Sequence, residues 1–152
     1  MARAVRWKWL VGLALGVTVV AAILIIVRFT QRLPSGPVPI VWDREACAEC
    51  HMHVGEPRFA AQLQTKDGAV RNFDDPGCLL LYLSTRKPDV HAMYFRHLRE
   101  DRWLLRCCVG FIGVEATPMG YNLGAVEASE AGALSFDAAQ AQIEARPQRG
   151  AE

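Results

Sequence analysis

The stretch that decides the fold is Phe73-Asp74-Asp75-Pro76-Gly77-Cys78-Leu79-Leu80, where an alternating pattern gives way to a helical one. Asp75 is a favourable N-cap, because its carboxylate can accept hydrogen bonds from the free N–H groups of a first helical turn. Pro76 suits the first helical position, where the missing N–H costs nothing. We therefore predict a helix from Pro76 to about Arg86, ended by Lys87-Pro88. Apolar residues lie on almost every side of this helix, so we expect it to be packed within the core.

Strand patterns flank this helix on both sides. Residues 58–64 alternate apolar and polar side chains, and Thr65-Lys66-Asp67-Gly68 supplies an Asp-Gly hairpin turn. Residues 69–73 form the return strand, and residues 91–98 read as another strand. The predicted order is strand-strand-helix-strand.

A second, less complete version of the same order follows. Strand formers dominate residues 103–114, residues 120–127 alternate moderately, and Ser135 can cap a short helix that ends before Pro147. We therefore predict an α+β fold with two ββαβ-like units, the second incomplete. Residues 147–152 are expected to be a frayed tail.

An uncharged apolar run from Trp9 to Val27 dominates the N-terminus. A helix of this length can span the roughly 30 Å hydrocarbon layer of a membrane. Three basic residues precede the run and two follow it, which favours a cytoplasmic N-terminus. We predict a cytoplasmic segment at 1–8 and a single transmembrane helix at 9–27. A cleaved signal peptide is the alternative, although the apolar run is longer than such peptides need and its small pair, Ala21-Ala22, lies inside it.

The rest of the chain is expected outside the membrane. Residues 28–41 form a Pro-rich, fairly stiff spacer, and residues 42–146 form the predicted metal-binding domain. The net charge is +1 with both signs interspersed, so there is no basic footprint for nucleic acid. From the apolar run and its flanking charges, we expect a single-pass protein of the inner membrane with this domain in the periplasm.

Metal ligands are concentrated at the start of this domain. Within seven positions lie the thiols of Cys47 and Cys50, the imidazoles of His51 and His53, and the thioether of Met52. Thiolates and thioethers favour copper(I), and a thioether binds zinc poorly, so the pattern predicts a copper(I) site. If this segment were extended, His51 and His53 would share a face opposite Met52. At most one imidazole would then join the primary site.

Other sulfur atoms lie further along the chain. Met119 stands in a turn between Pro118 and Gly120, and we predict it as a remote ligand; the alternative is a turn residue that fills an edge of the core. Cys78 would be the third residue of the helix, and a helix N-terminus favours the thiolate, so a reactive or metal-binding role is one alternative. Because Leu79 and Leu80 follow it and buried cysteines behave as small hydrophobes, we predict a core residue. Cys107-Cys108 would point to opposite faces of a strand, so only one of them could join a zinc site.

Two histidines belong to no motif. His91 and His97 are predicted to lie at the surface or on an edge strand.

Four spaced motifs resemble the NosL family, accessory proteins of nitrous oxide reductase maturation. They lie within residues 42–126 in the family's order: Asp43 to Met52, Pro57 to Gln62, Phe73 to Leu80, and Thr117 to Tyr121. The resemblance implies paired strand-strand-helix-strand units and extracytoplasmic copper(I) binding. It also implies delivery of copper to nitrous oxide reductase or a related enzyme. His51 stands where the family usually has glycine, in the pattern Cys-x-x-Cys-Gly-Met.

The sequence thus predicts a membrane-anchored copper(I) metallochaperone rather than an enzyme. Its partners would be the membrane and a copper-receiving enzyme or that enzyme's assembly complex. Two alternatives stay open: a thiol–disulfide oxidoreductase acting through Cys47 and Cys50, and a module whose metal only stabilises the fold. The two thiols could also rest as a disulfide, which is common in oxidising compartments. The sequence does not define the oligomeric state.

Overall fold

The computed structural model describes residues 15–26 and 33–146, and the chain divides into two compact units, Met1–Leu33 and Pro34–Glu152. In the first unit, residues 15–26 form helix α1 and are exposed. Among the described residues, no helix is both long and apolar enough to cross a membrane. The predicted span at 9–27 extends beyond the described residues. The predicted segments 1–8 and 147–152 lie wholly outside them.

The second unit contains a four-stranded antiparallel sheet. Its strands, in the spatial order β2-β1-β3-β4, are β1 (Ala61–Thr65), β2 (Val70–Phe73), β3 (Val90–Arg96) and β4 (Trp103–Leu105). Strand β1 follows a short 3-10 helix, Pro57–Phe59, and forms the predicted hairpin with β2, in which Leu63 faces Arg71. The central β1–β3 pairing places Leu63 opposite Met93.

Helix α2 runs from Pro76 to Arg86, as predicted. The Asp75 carboxylate accepts a hydrogen bond from the Gly77 N–H at 2.8 Å, which confirms its role as N-cap. Lys87 ends the helix in the left-handed region, at a φ of 47°. Burial is complete for residues 76–80 and partial for residues 81–84, so the core encloses the N-terminal half of the helix.

The remaining elements form a second, smaller layer. Strands β5 (Val109–Gly113) and β6 (Leu123–Glu127) pair antiparallel, and helix α3 (Phe136–Glu144) follows them. The Ser135 hydroxyl accepts from the Ala138 N–H at 3.2 Å, as a helix cap should. The order strand-strand-helix lacks a closing strand within the described residues, which matches the incomplete second unit. The α+β class is confirmed.

The expectation of one strand over residues 103–114 is wrong. Strand β4 pairs with β3 in the first sheet, whereas β5 pairs with β6 in the second. The chain must therefore leave one sheet and enter the other, and it does so through a 3-10 turn, Arg106–Cys108.

Aromatic side chains join the two layers. The Phe95 ring meets the Phe111 ring edge to face, with centroids 5.2 Å apart, and meets Phe136 of α3 at 6.1 Å. These pairs place one ring from each sheet and one from α3 in a common core. The Leu98 N–H also donates to the Ala125 carbonyl of β6 at 2.8 Å, so backbone and aromatic contacts together hold the two layers.

The Pro-rich segment packs on the sheet from residue 36 onward. Gln62 and Gln64 are fully buried on β1. Gln62 accepts from the Val38 N–H at 2.7 Å and donates to the Val38 carbonyl at 2.9 Å, and Gln64 donates to the Gly36 carbonyl at 2.8 Å. These bonds pair the Gln62 amide and the Gln64 amide nitrogen, which would be costly to bury unpaired, whereas Gln64 Oε1 is buried without a hydrogen-bond partner among the described residues. The same bonds hold residues 36–38 against β1.

The prediction for His97 is wrong, because its side chain is only 3% exposed. Its Nδ1 accepts from the N–H groups of Arg99 and Glu100 at 3.2 and 3.1 Å, so it organises the turn after β3. His91 is exposed, as predicted.

Candidate metal centre

The segment that begins at Cys47 is a tight turn. The His51 N–H donates to the Cys47 carbonyl at 3.0 Å, and the Cys47 N–H donates to the Met52 carbonyl at 2.8 Å. Ala46 and His53 form an isolated antiparallel bridge at the base of this turn. The segment is therefore not extended, and the condition under which the two imidazoles would share one face is not met.

His51 has a φ of 62°, in the left-handed region. A side chain costs about 1–2 kcal/mol in this region relative to glycine. The conformation is the one that glycine adopts most easily, and glycine is what the resembled family usually has here. The chain keeps a glycine-like turn and adds an imidazole to it.

Two adjacent carboxylates connect this turn to the rest of the domain. Asp74 Oδ1 accepts from the Gly55 N–H at 2.9 Å, which ties the end of the cysteine loop to the strand–helix junction. Asp75 caps α2 with one oxygen and accepts from the Met119 N–H at 3.1 Å with the other. The cysteine loop, the start of α2 and the loop around Met119 are thereby held together.

Three thiols meet where these segments converge. The sulfur atoms of Cys47, Cys50 and Cys78 all lie within 4.8 Å of one another. Two metal–sulfur bonds of about 2.3 Å can span about 4.6 Å, so one ion can bind all three sulfurs after small adjustments. Cys47 and Cys78 are fully buried, while Cys50 is partly exposed. This three-thiol cluster therefore opens to solvent beside Cys50.

The assignment of Cys78 to the core was incomplete. The residue is buried, as predicted, but its thiol faces the two cysteines of the loop. Its position at the third residue of α2 was a signal, because helix N-termini favour thiolates. The adjacent Leu79 and Leu80 favour the interpretation of Cys78 as a purely hydrophobic core residue.

The cluster shares one negative charge at neutral pH. The Cys78 thiol donates to the Cys47 sulfur, and with help from backbone N–H groups this contact lowers the pKa of Cys47 to about 5. The same hydrogen bond raises the pKa of Cys78, which keeps its proton. Burial is the main cause that raises the pKa of Cys50 to about 11. One thiolate and two thiols thus face each other.

Glu49 adds a second acidic group at this site. Its Oε2 is buried without a hydrogen-bond partner among the described residues. Burial raises the pKa of this carboxyl group, and the negative charge on Cys47 raises it further. A cation bound by the thiols would relieve this repulsion.

The other predicted ligands of the loop lie at the surface. Met52 is 60% exposed, and His51 and His53 are exposed as well. Neither imidazole belongs to the group of ligand atoms formed by the three thiols. The structure therefore brings Cys47 and Cys50 together with Cys78, while the side chains of His51, Met52 and His53 lie at the surface.

Met119 lies in a loop that is fixed from both sides. Its N–H is bonded to Asp75, and the Arg146 guanidinium donates to the carbonyls of Gly120 and Tyr121 at 3.0 and 2.9 Å. Gly120 has a φ of 72°, which suits glycine. Met119 itself is half-buried and packs against the core.

Tyr121 shows that this loop faces the thiols. A Cβ atom at Gly77 would lie only 2.1 Å from the Tyr121 ring, so the ring packs directly on the first turn of α2. Burial raises the pKa of Tyr121 to about 12, and the acidic groups nearby, those of Cys78, Asp75, Glu49 and Cys50, raise it further. The loop that carries Met119 therefore borders the three-thiol cluster.

The fold and the site define a class: a small α+β domain with a thiol-rich pocket that is suited to a soft metal ion. No protein-family model matches the chain, and no curated protein matches its sequence. Among solved structures, the chain is similar to the copper chaperone NosL from Shewanella denitrificans. The TM-score is 0.52 at 20% identity, over 73% of this chain and 88% of that one. The likeness confirms the expected NosL-like fold.

The turn at His51 gives a first prediction. The change His51→Gly should raise the free energy of unfolding by about 1 kcal/mol or leave it unchanged, because glycine adopts a positive φ without steric cost. His51→Val should lower it, because a β-branched residue tolerates this region poorly. Urea unfolding of the reduced protein measures both changes. Equal destabilisation by the two substitutions would contradict the strained turn.

Proposed function

We propose that this protein is a copper(I) metallochaperone, which binds one copper(I) ion at the three-thiol cluster and passes it to a copper-receiving protein. The observation that carries the proposal is the convergence of Cys47, Cys50 and Cys78 within 4.8 Å. It occurs in a fold similar to that of a copper chaperone. No catalytic step is required, because ligand exchange through shared thiolates suffices.

The donor set favours copper(I) over zinc. Structural zinc sites almost always have four ligands from cysteine, histidine or carboxylate side chains. Within the part of the chain that the structure describes, the group contains three thiols and no fourth side chain of these types. Three soft sulfurs suit copper(I), and the thioethers of Met52 and Met119 on neighbouring segments are of the same soft kind.

The burial pattern supports transfer as well as binding. Cys47 and Cys78 are shielded from solvent, whereas Cys50 is partly exposed and Met52 is 60% exposed beside it. An incoming thiolate could displace the ligand at Cys50 while the two buried sulfurs still hold the ion. Met52 would act as a surface ligand during capture, and Met119 would approach from the opposite loop.

Location and recipient follow from the sequence. The apolar composition of residues 9–27 supports a membrane anchor, with the domain in the periplasm. The motifs around the three-thiol cluster support nitrous oxide reductase, or a related copper enzyme, as the recipient. His51 and His53 would serve as auxiliary copper ligands at the surface of the loop.

The second candidate, a thiol–disulfide oxidoreductase, has one supporting observation: the pKa of Cys47 is lowered to about 5. Exchange, however, requires an accessible thiolate. Here the acidic thiol is fully buried, and the accessible one, Cys50, has a pKa raised to about 11. This arrangement is the reverse of what thiol–disulfide exchange needs and favours metal binding.

Substitution of Cys78 tests the proposal directly. In the reduced full-length protein, Cys78→Ser should weaken copper(I) binding at the tight site at least about tenfold, because one of three thiolates is lost. Cys107→Ser is the matched control, since it removes an exposed thiol outside the cluster, and it should leave this affinity unchanged. Titration against a competing copper(I) chelator measures the affinity, and circular dichroism checks the fold.

Two results would contradict the proposal. One is copper(I) affinity that survives Cys78→Ser, and the other is zinc binding tighter than copper(I) binding. Insulin reduction without copper(I) binding would favour the oxidoreductase.

The pKa pattern predicts how copper(I) affinity depends on pH. Near pH 7 Cys47 is already a thiolate, since its pKa is about 5, while the raised pKa values of Cys50 and Cys78 leave both protonated. Two protons must therefore leave when copper(I) binds, and protons compete with the ion. The logarithm of Kd should fall by about two for each unit of pH between 6 and 8. A slope near zero would mean that Cys50 and Cys78 do not bind as thiolates.

A further inference from the structure

A second pair of thiols lies outside the three-thiol cluster. Cys107 and Cys108 are both exposed, and their sulfur atoms are 2.8 Å apart. The expectation that they point to opposite faces fails because residues 106–108 form a 3-10 turn rather than a strand. In this turn the two sulfur atoms lie side by side.

The turn that carries this pair is held on both sides. The Cys108 carbonyl accepts from the Ala128 N–H at 2.9 Å, just beyond β6. Arg106 stacks its guanidinium on the Phe136 ring at 4.4 Å and forms an ion pair with Asp137 at 3.5 Å. The backbone of the pair is thus fixed by β6 and α3, while both sulfurs remain at the surface.

Packing does not account for these two residues. Free cysteines are among the most buried residue types, because they behave as small hydrophobes. Two adjacent cysteines that are both exposed contribute nothing to a core. Their sulfur atoms contact each other instead, so two soft donor atoms lie side by side at the surface.

We propose that Cys107 and Cys108 form a second copper(I) site, which is exposed and weaker than the three-thiol cluster. Two S–H bonds lose their protons to solvent and two sulfur–copper bonds form, with no change in the oxidation state of copper. Since both side chains are exposed, the sulfurs can spread from 2.8 Å to the separation that a chelated ion needs. Only the choice of copper(I) as the ion rests on the proposed function.

The number of ligands determines which ion the pair prefers and how tightly it binds that ion. Copper(I) is monovalent and accepts two soft ligands, whereas zinc seeks four. Two thiolates hold the ion less tightly than three, and exposure leaves room for a partner's ligand. Glu127, the last residue of β6, forms an ion pair with Arg102 at 2.6 Å.

Copper(I) stoichiometry in three forms of the full-length protein tests this site. Anaerobic titration against a chelator should show two ions on the reduced wild type, one tight and one weaker. The double variant Cys107→Ser/Cys108→Ser should bind one ion with the affinity of the tight site unchanged. Cys78→Ser should keep the weaker ion and lose affinity only at the tight site.

The failures of the two proposals are distinguishable. A wild type that binds one ion, or a double variant that still binds two, would overturn the second site and leave the three-thiol cluster untouched. Unchanged tight binding in Cys78→Ser would overturn the cluster and leave the second site untouched. If mass spectrometry finds that a disulfide between Cys107 and Cys108 persists after treatment with reductant and copper(I), the pair is not a copper site.

Discussion

The Asp75 carboxylate accepts hydrogen bonds from two distant parts of the chain. One oxygen caps helix α2 through the Gly77 N–H, and the other holds the Met119 N–H at 3.1 Å. The group is fully buried, and burial raises its pKa because the hydrogen bonds offset desolvation only in part. Losing either donor would leave a buried oxygen unpaired, which costs about 1–3 kcal/mol or more for a charged group. The helix start and the Met119 loop are therefore coupled.

The neighbouring carboxylate extends this coupling to the cysteine loop. Asp74 binds the Gly55 N–H, and its own N–H donates to the Cys47 sulfur. Residues 74 and 75 thus connect all the segments that border the three-thiol cluster. Cys78 lies three residues after Asp75, in the first turn of α2. The helix cap therefore also fixes the position of the Cys78 thiol relative to Cys47. The geometry of the three-thiol cluster therefore depends on this junction.

Local signals in the sequence were sufficient for most elements. Asp75-Pro76 and Ser135 mark helix starts through hydrogen bonds within one turn, and Asp67-Gly68 marks a hairpin in the same way. The structure has all three features where they were predicted. The tight turn at Cys47 could also have been predicted, since the pattern of the resembled family has glycine at the position of His51.

What the sequence could not supply depends on packing between distant segments. Cys78 has leucine neighbours, and only the docking of the cysteine loop on α2 shows that its thiol faces Cys47. Gln62 is polar on a buried strand, and its partner, Val38, lies 24 residues away. The turn at 106–108 exists because the chain changes sheets, and strand propensity carries no information about that change.

X-ray absorption at the copper edge tests the central claim most directly. The sample is the double variant Cys107→Ser/Cys108→Ser, loaded with one copper(I) ion, so that the signal comes from a single site. Three sulfur neighbours at about 2.3 Å, with no nitrogen in the first shell, are the predicted result. A first shell with fewer than three sulfurs, or one dominated by imidazole nitrogen, would show that the three thiols do not hold the ion.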